Sequence, residues 1–422
     1  MIKLPLIKLT FIYAAGNSIN KIIPFLLLPI LTHYISPEGY GKISIVQIII
    51  SFFTVLISLN FNGAYLRYYY KLACKDKKRL LFNVIFFTVV NFILLAAVSF
   101  FMILFGGVFL SDIFSIDSMW LYVAIVISFS NSIMALILVN FQINKSPIKY
   151  SLATISYSFV NIFFSLLLII YLDYGWEGRI FGILISSILL LIIAFLNYKK
   201  ERGIRIDSYD QNFRKKIYNF GFPLLPHALS GIILVGVDRV FLANMIGLSS
   251  TGVYAVAYQF GMIISIISSS INSAWAPFFF KEMENSKSSV FILIKGVGYI
   301  AIALFLIVIV LIFLSKLIIL NYLNVEYHDS IKYITLIAWG YFFEGLCIMV
   351  SNFILFYNKN IYLSYSTITA VFLNIILNII LINSMGVYGA ALATFISYVV
   401  SFIMIAAYTV FLIKVKGKIR SD

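Results

Sequence analysis

Ser289–Leu314 reads SVFILIKGVGYIAIALFLIVIVLIFL, 26 residues with a single charge, Lys295. About 20 apolar residues in a helix cross roughly 30 Å of hydrocarbon, so this stretch is long enough to span a membrane. Lys295 lies one turn inside its boundary, where a long side chain snorkels to the surface. Cutting the rest of the chain at its polar breaks gives eleven more segments of this kind. They fall near 10–32, 43–63, 81–109, 119–141, 151–172, 180–197, 220–245, 253–276, 331–357, 362–383 and 389–413. A hydrophobic fraction of 62% with 11% charged residues excludes an ordinary soluble domain. Continuous helices satisfy their own backbone in lipid, and the alternation of an outer-membrane barrel is missing from the sequence. The expectation is an all-α integral membrane protein with about 12 transmembrane helices.

The charges fix the orientation. Segments on the side of the N-terminus carry 24 Lys/Arg and 7 Asp/Glu, whereas the opposite loops carry 4 and 7. Basic residues in short loops stay in the cytoplasm, which sets both termini inside a bacterial inner membrane. The net charge of +15 is spread over juxtamembrane loops such as 67–79 and 199–216, which fits contact with an anionic leaflet and not a nucleic-acid partner. Segment 10–32 is long for a signal peptide and has no convincing cleavage region, so it is expected to remain.

Chemistry is sparse. The sequence has no GxxxxGK[ST], HExxH, GxSxG or CxxC pattern, and His33, His227 and His328 have no ligand-like spacing. No cofactor, no metal and no enzymatic activity are expected. Cys74 falls in a cytoplasmic loop and Cys347 inside a span, which argues against a disulfide.

The two halves of the chain match. Ile35–Gln47 reads ISPEGYGKISIVQ and Ile246–Gln259 reads IGLSSTGVYAVAYQ, with Ile35 and Gly41 aligned to Ile246 and Gly252. Gly175 and Gly178 align with Gly386 and Gly389, while Asn144, Lys145 and Asn161 correspond to Asn358, Lys359 and Asn374. Six spans per copy give both copies the same orientation, and parallel repeats of this kind bind substrate between the halves. We therefore expect two parallel six-helix lobes around a central cavity, residues 1–205 and 206–422, with the boundary in the basic loop near Glu201–Asn212.

Charges within spans are expensive and mark function or internal pairing. Lys21 lies mid-span in NSINKIIP, four residues after Asn17, and either faces the lumen or pairs with Glu344. Asp238 and Arg239 are adjacent, about 100° apart around their helix, and read either as a salt-bridged gate or as a substrate or ion contact. Glu344 is a proton site or the partner of a cation. Tyr254 and Tyr258 share a helix face with Gly261 and are candidates for a sugar path, as are Asn17 and Asn378; Asn374 and Asn378, four apart, read equally as interhelical glue. Pro223 and Pro226 predict a broken helix.

Phe220–Leu242, FGFPLLPHALSGIILVGVDRVFL, runs towards Thr251–Phe260, TGVYAVAYQF. With PEGYGKIS at Pro37–Ser44, these stretches resemble Wzx-type flippases of O-antigen and related polysaccharide units. Those flippases lie within the multidrug/oligosaccharidyl-lipid/polysaccharide exporter superfamily. The resemblance covers essentially the whole chain. It implies movement of undecaprenyl-diphosphate-linked oligosaccharide from the cytoplasmic to the periplasmic leaflet, with membrane lipid, a polysaccharide polymerase and a chain-length regulator as partners. Lys21 and Arg239 are then the cations for the diphosphate, and Asp238 and Glu344 the acidic groups for ion coupling. A lipid II or teichoic-acid-type lipid flippase and a small-molecule exporter of the same superfamily are the alternatives. A membrane polymerase or glycosyltransferase would show a large external loop, which this chain lacks.

The orientation is tested with single cysteines and an impermeant thiol reagent on intact cells. Positions 77, 202 and 418 should stay unlabelled and positions 112, 173 and 329 should label; strong labelling at 202 would reverse the topology.

Overall fold

A computed structural model of the chain describes residues 24–202, 210–284 and 290–417. The described residues form helices and turns. In chain order the helices are α1 (Leu28–Tyr34), α2 (Pro37–Ser58), α3 (Phe61–Tyr69), α4 (Cys74–Phe114), α5 (Met119–Ile143), α6 (Pro147–Leu166) and α7 (Gly175–Arg202). They continue as α8 (Gln211–Gly221), α9 (Leu225–Met245), α10 (Leu248–Glu284), α11 (Val290–Tyr322), α12 (Ile331–Phe356), α13 (Ile361–Met385) and α14 (Val387–Gly417). Among the described residues, eleven helical stretches are long and apolar enough to cross a membrane. The segment expected at 10–32 lies mostly outside the described residues.

These helices differ from globular ones in what they leave exposed. α11 buries Leu293, Leu304, Val308 and Ile319 but exposes Phe291, Ile302, Leu306 and Phe313. Such a surface is insoluble in water and matches hydrocarbon. The protein is an all-α integral membrane protein.

The chain divides into two compact units, and the division differs from the expected break at 205/206. Unit 1 comprises Met1–Leu26 with Lys42–Ile232; unit 2 comprises Leu27–Gly41 with Ile233–Asp422. The boundary thus falls within α9, and α1 with the first turn of α2 belongs to the second unit. Two contacts explain the exchange. The Tyr327 hydroxyl donates to the Ile35 carbonyl at 2.8 Å, and the Tyr40 hydroxyl donates to Gln259 Oε1 at 2.6 Å. Gly41 and Gly252 add a close backbone crossing. A Cβ on Gly41 would strike the Leu248 carbonyl oxygen, and one on Gly252 would strike that of Pro37. The contact is reciprocal, since each glycine meets the carbonyl four residues before the other.

The internal repeat is visible in local geometry. Gly175 and Gly386, which open the approach to α7 and α14, both have positive φ, 52° and 62°. Three residues on, Gly178 packs against the Leu168 backbone and Gly389 against that of Leu381. α5 and α12 each end at a left-handed residue, Lys145 and Asn358.

Helix boundaries depart from the sequence reading where polar residues are too few to stop a helix. The connection expected at 315–330 is helical to Tyr322, since Lys316 alone does not interrupt the apolar run, and then forms a 3₁₀ turn at Val325–Ser330. The connection expected at 198–219 contains the end of α7 and most of α8, which runs on to Gly221. Phe222–Leu224 forms a 3₁₀ turn between α8 and α9, the break predicted from Pro223 and Pro226. α4 departs from helical geometry at Gly106.

The glycine crossing makes a stability prediction. Gly252→Ala should cost about 1–3 kcal/mol, because backbone and not a flexible side chain stands in the way. Gly231→Ala on α9, where a Cβ would meet nothing within 4 Å, should be neutral or stabilising by up to about 1 kcal/mol. Thermal unfolding of the purified proteins in detergent separates the two.

Candidate functional site

α9 carries Asp238 and Arg239 two turns before its end, in a run otherwise apolar enough to sit in a membrane. Asp238 is completely buried. A carboxylate in such a place costs several kcal/mol unless hydrogen-bond donors surround it. Three do. The Arg239 backbone N–H donates to Oδ1 at 2.8 Å, while Oδ2 accepts the Tyr254 hydroxyl at 2.5 Å and the Thr394 hydroxyl at 3.3 Å. Tyr254 reaches it from the first turns of α10 and Thr394 from α14.

Arg239 turns elsewhere. Its guanidinium carbon lies 4.2 Å from the centre of the Tyr258 ring, a cation–π contact worth about 2 kcal/mol when desolvated. Among the described residues its Nε has no hydrogen-bond partner and no carboxylate forms an ion pair with it. The adjacent charges therefore do not form a side-chain salt bridge, in keeping with their 100° separation around the helix.

A tyrosine cluster surrounds the pair. Tyr258 packs edge-on against Tyr341 of α12 at 5.5 Å between ring centres, and Tyr341 lies 5.6 Å from Tyr398 of α14. Tyr254 and Tyr258 are themselves 5.8 Å apart. Gly261 allows α12 to come this close to α10, because a Cβ there would meet Ile337 and the Tyr341 ring. One turn beyond Tyr341, Glu344 accepts a hydrogen bond from Ser265 of α10 at 3.3 Å.

The structure thus brings together four of the residues singled out in the sequence: Asp238, Arg239, Tyr254 and Tyr258. Both tyrosines are fully buried, so they face the charged pair and not an open path. Glu344 joins α12 to α10 beside this group. Asn378 donates to the backbone and side-chain oxygens of Asn374 at 2.9 and 3.0 Å, within α13. Lys21 and Asn17 lie outside the described residues.

Thr394, Tyr341 and Tyr398 were missed. A hint lay in ATFISY at Ala393–Tyr398, where Thr394, Ser397 and Tyr398 fall one helical turn apart. Arg179 was missed as well, because GWEGR reads as a loop. In unit 1 it is buried, and its Nη1 donates to Asn161 Oδ1 at 2.5 Å and to Ser165 Oγ at 2.7 Å.

The model of the polysaccharide biosynthesis protein family matches residues 6–283, about two thirds of the sequence. The chain belongs to this family. A protein of the Lsg locus of Haemophilus influenzae is 26% identical over 283 residues, 66% of this chain and 67% of that one. Two solved structures share the fold. An inward-facing multidrug resistance MATE family transporter of the MOP superfamily superposes with a TM-score of 0.71 at 15% identity, covering 93% of this chain and 96% of the other. The lipid II flippase MurJ in an inward closed conformation superposes with a TM-score of 0.72 at 17% identity, covering 96% and 87%. This member of the polysaccharide biosynthesis family therefore has the fold of those transporters.

Tyr254→Phe should destabilise the protein by about 1–3 kcal/mol, because it removes the shortest donor from a buried carboxylate. Tyr333→Phe, on a ring 6.4 Å from Tyr254 but outside the Asp238 bonds, should change stability by less than about 0.5 kcal/mol. Chemical unfolding in detergent reads both.

Proposed function

We propose that this protein is a flippase, a transporter and not a catalyst. It carries polyprenyl-diphosphate-linked oligosaccharide units from the cytoplasmic to the external leaflet of a bacterial inner membrane. The supporting observation is Arg239, a buried guanidinium held on a tyrosine face with an unused N–H, in a chain of the polysaccharide biosynthesis family. A diphosphate in a low-dielectric place needs charge-assisted donors, and a planar guanidinium supplies two in parallel. Lys21, from the sequence, is the second cation.

Asp238 and Glu344 are the groups for ion coupling. The side-chain donors to Asp238 are neutral hydroxyls, so gain of a proton or a monovalent cation cancels its charge without breaking an ion pair. A lipid II or teichoic-acid-type substrate would use the same diphosphate chemistry, and the shared fold with MurJ favours this as the second reading. The two readings differ only in the sugars.

Depleting the protein should cause polyprenyl-linked glycans to accumulate, and mass spectrometry of those lipids identifies the cargo. An unchanged lipid-linked pool would remove the flippase reading. Arg239→Gln should lower surface-polymer export on the order of tenfold, equivalent to about 1.4 kcal/mol. Lys21→Met should also impair export, and Lys21→Arg should retain more activity than Lys21→Met. Since the adjacent charges form no ion pair, Asp238→Asn combined with Arg239→Gln should be at least as defective as the worse single change at matched protein levels. Normal export by Arg239→Gln would take that residue out of the transport path.

A further inference from the structure

α8 has the opposite design to the membrane spans. It buries Phe213, Ile217 and Gly221, four residues apart, against a core of Phe61, Tyr65, Leu80, Val84 and Phe87 in unit 1. Its seat is fixed at both ends. The Asp210 backbone N–H donates to the buried Asn83 Oδ1 at 3.1 Å, and a Cβ on Gly221 would collide with the Leu59 carbonyl. Midway, the Tyr218 hydroxyl donates to Asn91 Oδ1 at 2.9 Å. The helix is therefore a rigid platform and not a loose linker.

Along its other side, Gln211, Arg214, Lys215 and Asn219, all exposed, and the half-buried Tyr218 line an open pocket of 480 Å³. Small-molecule sites run from about 300 to 1,000 Å³, so this one has room for a diphosphate and an attached sugar. Among the described residues the lining carries two cations and two amides and no carboxylate. Among the described residues neither Arg214 nor Lys215 is in an ion pair. Asp210, the nearest acidic residue in the sequence, accepts the Asn212 backbone N–H at 2.8 Å as the cap of the helix. The chemistry selects an anion with hydroxyl-rich surroundings: cations and N–H donors for phosphate oxygens, and amide oxygens for sugar hydroxyls.

We propose that the α8 cavity is a docking site for the diphosphate and first sugar of the lipid-linked glycan, occupied at the cytoplasmic face before translocation. This rests on the flippase reading and on the cytoplasmic placement of residues 198–219. Arg214 and Lys215 hold the diphosphate, and Gln211 and Asn219 contact the sugar.

The test uses the full-length protein in phosphatidylcholine nanodiscs, titrated with radiolabelled farnesyl diphosphate. Combining Arg214→Gln and Lys215→Gln should weaken binding at least tenfold. Removing two charges elsewhere, Lys145→Gln with Lys149→Gln, should leave it within twofold. Unlabelled inorganic diphosphate should compete, and replacing a third of the lipid with phosphatidylglycerol should not. Equal weakening by the two double variants, or displacement by phosphatidylglycerol, would reduce the site to diffuse basic surface and overturn the proposal. Wild-type binding by the Arg214/Lys215 variant would overturn it too. Should that variant fail to fold, Arg214→Lys and Lys215→Arg are expected to retain affinity within threefold, and the single Lys215→Gln to lose at least threefold. Leaflet transfer of a fluorescent polyprenyl diphosphate by the wild-type protein separates the two ideas. Transfer without dependence on Arg214 and Lys215 removes only the docking site, whereas no binding and no transfer removes the flippase reading.

Discussion

Hydrocarbon contains no water to hydrogen-bond a polar group, and this absence shapes the whole molecule. It forces the backbone into long helices and leaves phenylalanine and isoleucine facing outward. It also requires each charge inside to be answered by the protein. At Asp238 the side-chain answer comes from two hydroxyls and not from the neighbouring arginine. That choice leaves Arg239 resting on a tyrosine ring, anchored but still able to donate. The tyrosine cluster is accordingly not a sugar-stacking surface in this structure. It insulates two opposite charges that a shorter route would have neutralised.

The two copies of the repeat meet the same constraint differently. Asn161 and Ser165 of the first copy correspond to Asn374 and Asn378 of the second, with Gly178 matching Gly389 in each helix that packs alongside. The first copy fills this place with Arg179, which bonds both side chains. The second has Ala390 at the matching position, and its asparagines bond one another, with Asn378 Oδ1 and Asn374 Nδ2 left without partners among the described residues. The glycine turns recur in both copies, while the polar interiors differ.

Much of the fold was legible because membrane spans announce themselves through length and composition. The 26 residues of Ser289–Leu314 needed no periodicity argument, and Pro223 with Pro226 marked a break that the structure contains. What escaped was local. α3 and α8 are short and amphipathic and lie among basic residues, so their sequences resemble loops. The division at Ile232 escaped because a repeat boundary is written in the sequence, whereas packing depends on which backbones approach most closely. Adjacent Asp238 and Arg239 drew attention as the rarest residues for their surroundings. Thr394 and Tyr341 did not, since hydroxyls are ordinary in membrane helices and only their convergence on one place gives them meaning.

The assignment of Leu27–Gly41 to the second unit has a consequence for how the protein is made. These residues leave the ribosome early, yet the groups they bond, Gln259 and Tyr327, and the backbone at Leu248 and Gly252 that they pack against, come far later in the chain. At about 5–20 residues per second, synthesis from Gly41 to Ile233 takes roughly ten seconds or more. Throughout that interval Leu27–Gly41 is made but unfinished, with the Ile35 carbonyl and the bare Gly41 backbone awaiting partners that do not yet exist. The second unit closes only by accepting this early piece. Neither half of the gene therefore encodes a complete folding unit, and expressing the halves as separate polypeptides would require them to exchange segments before either was whole.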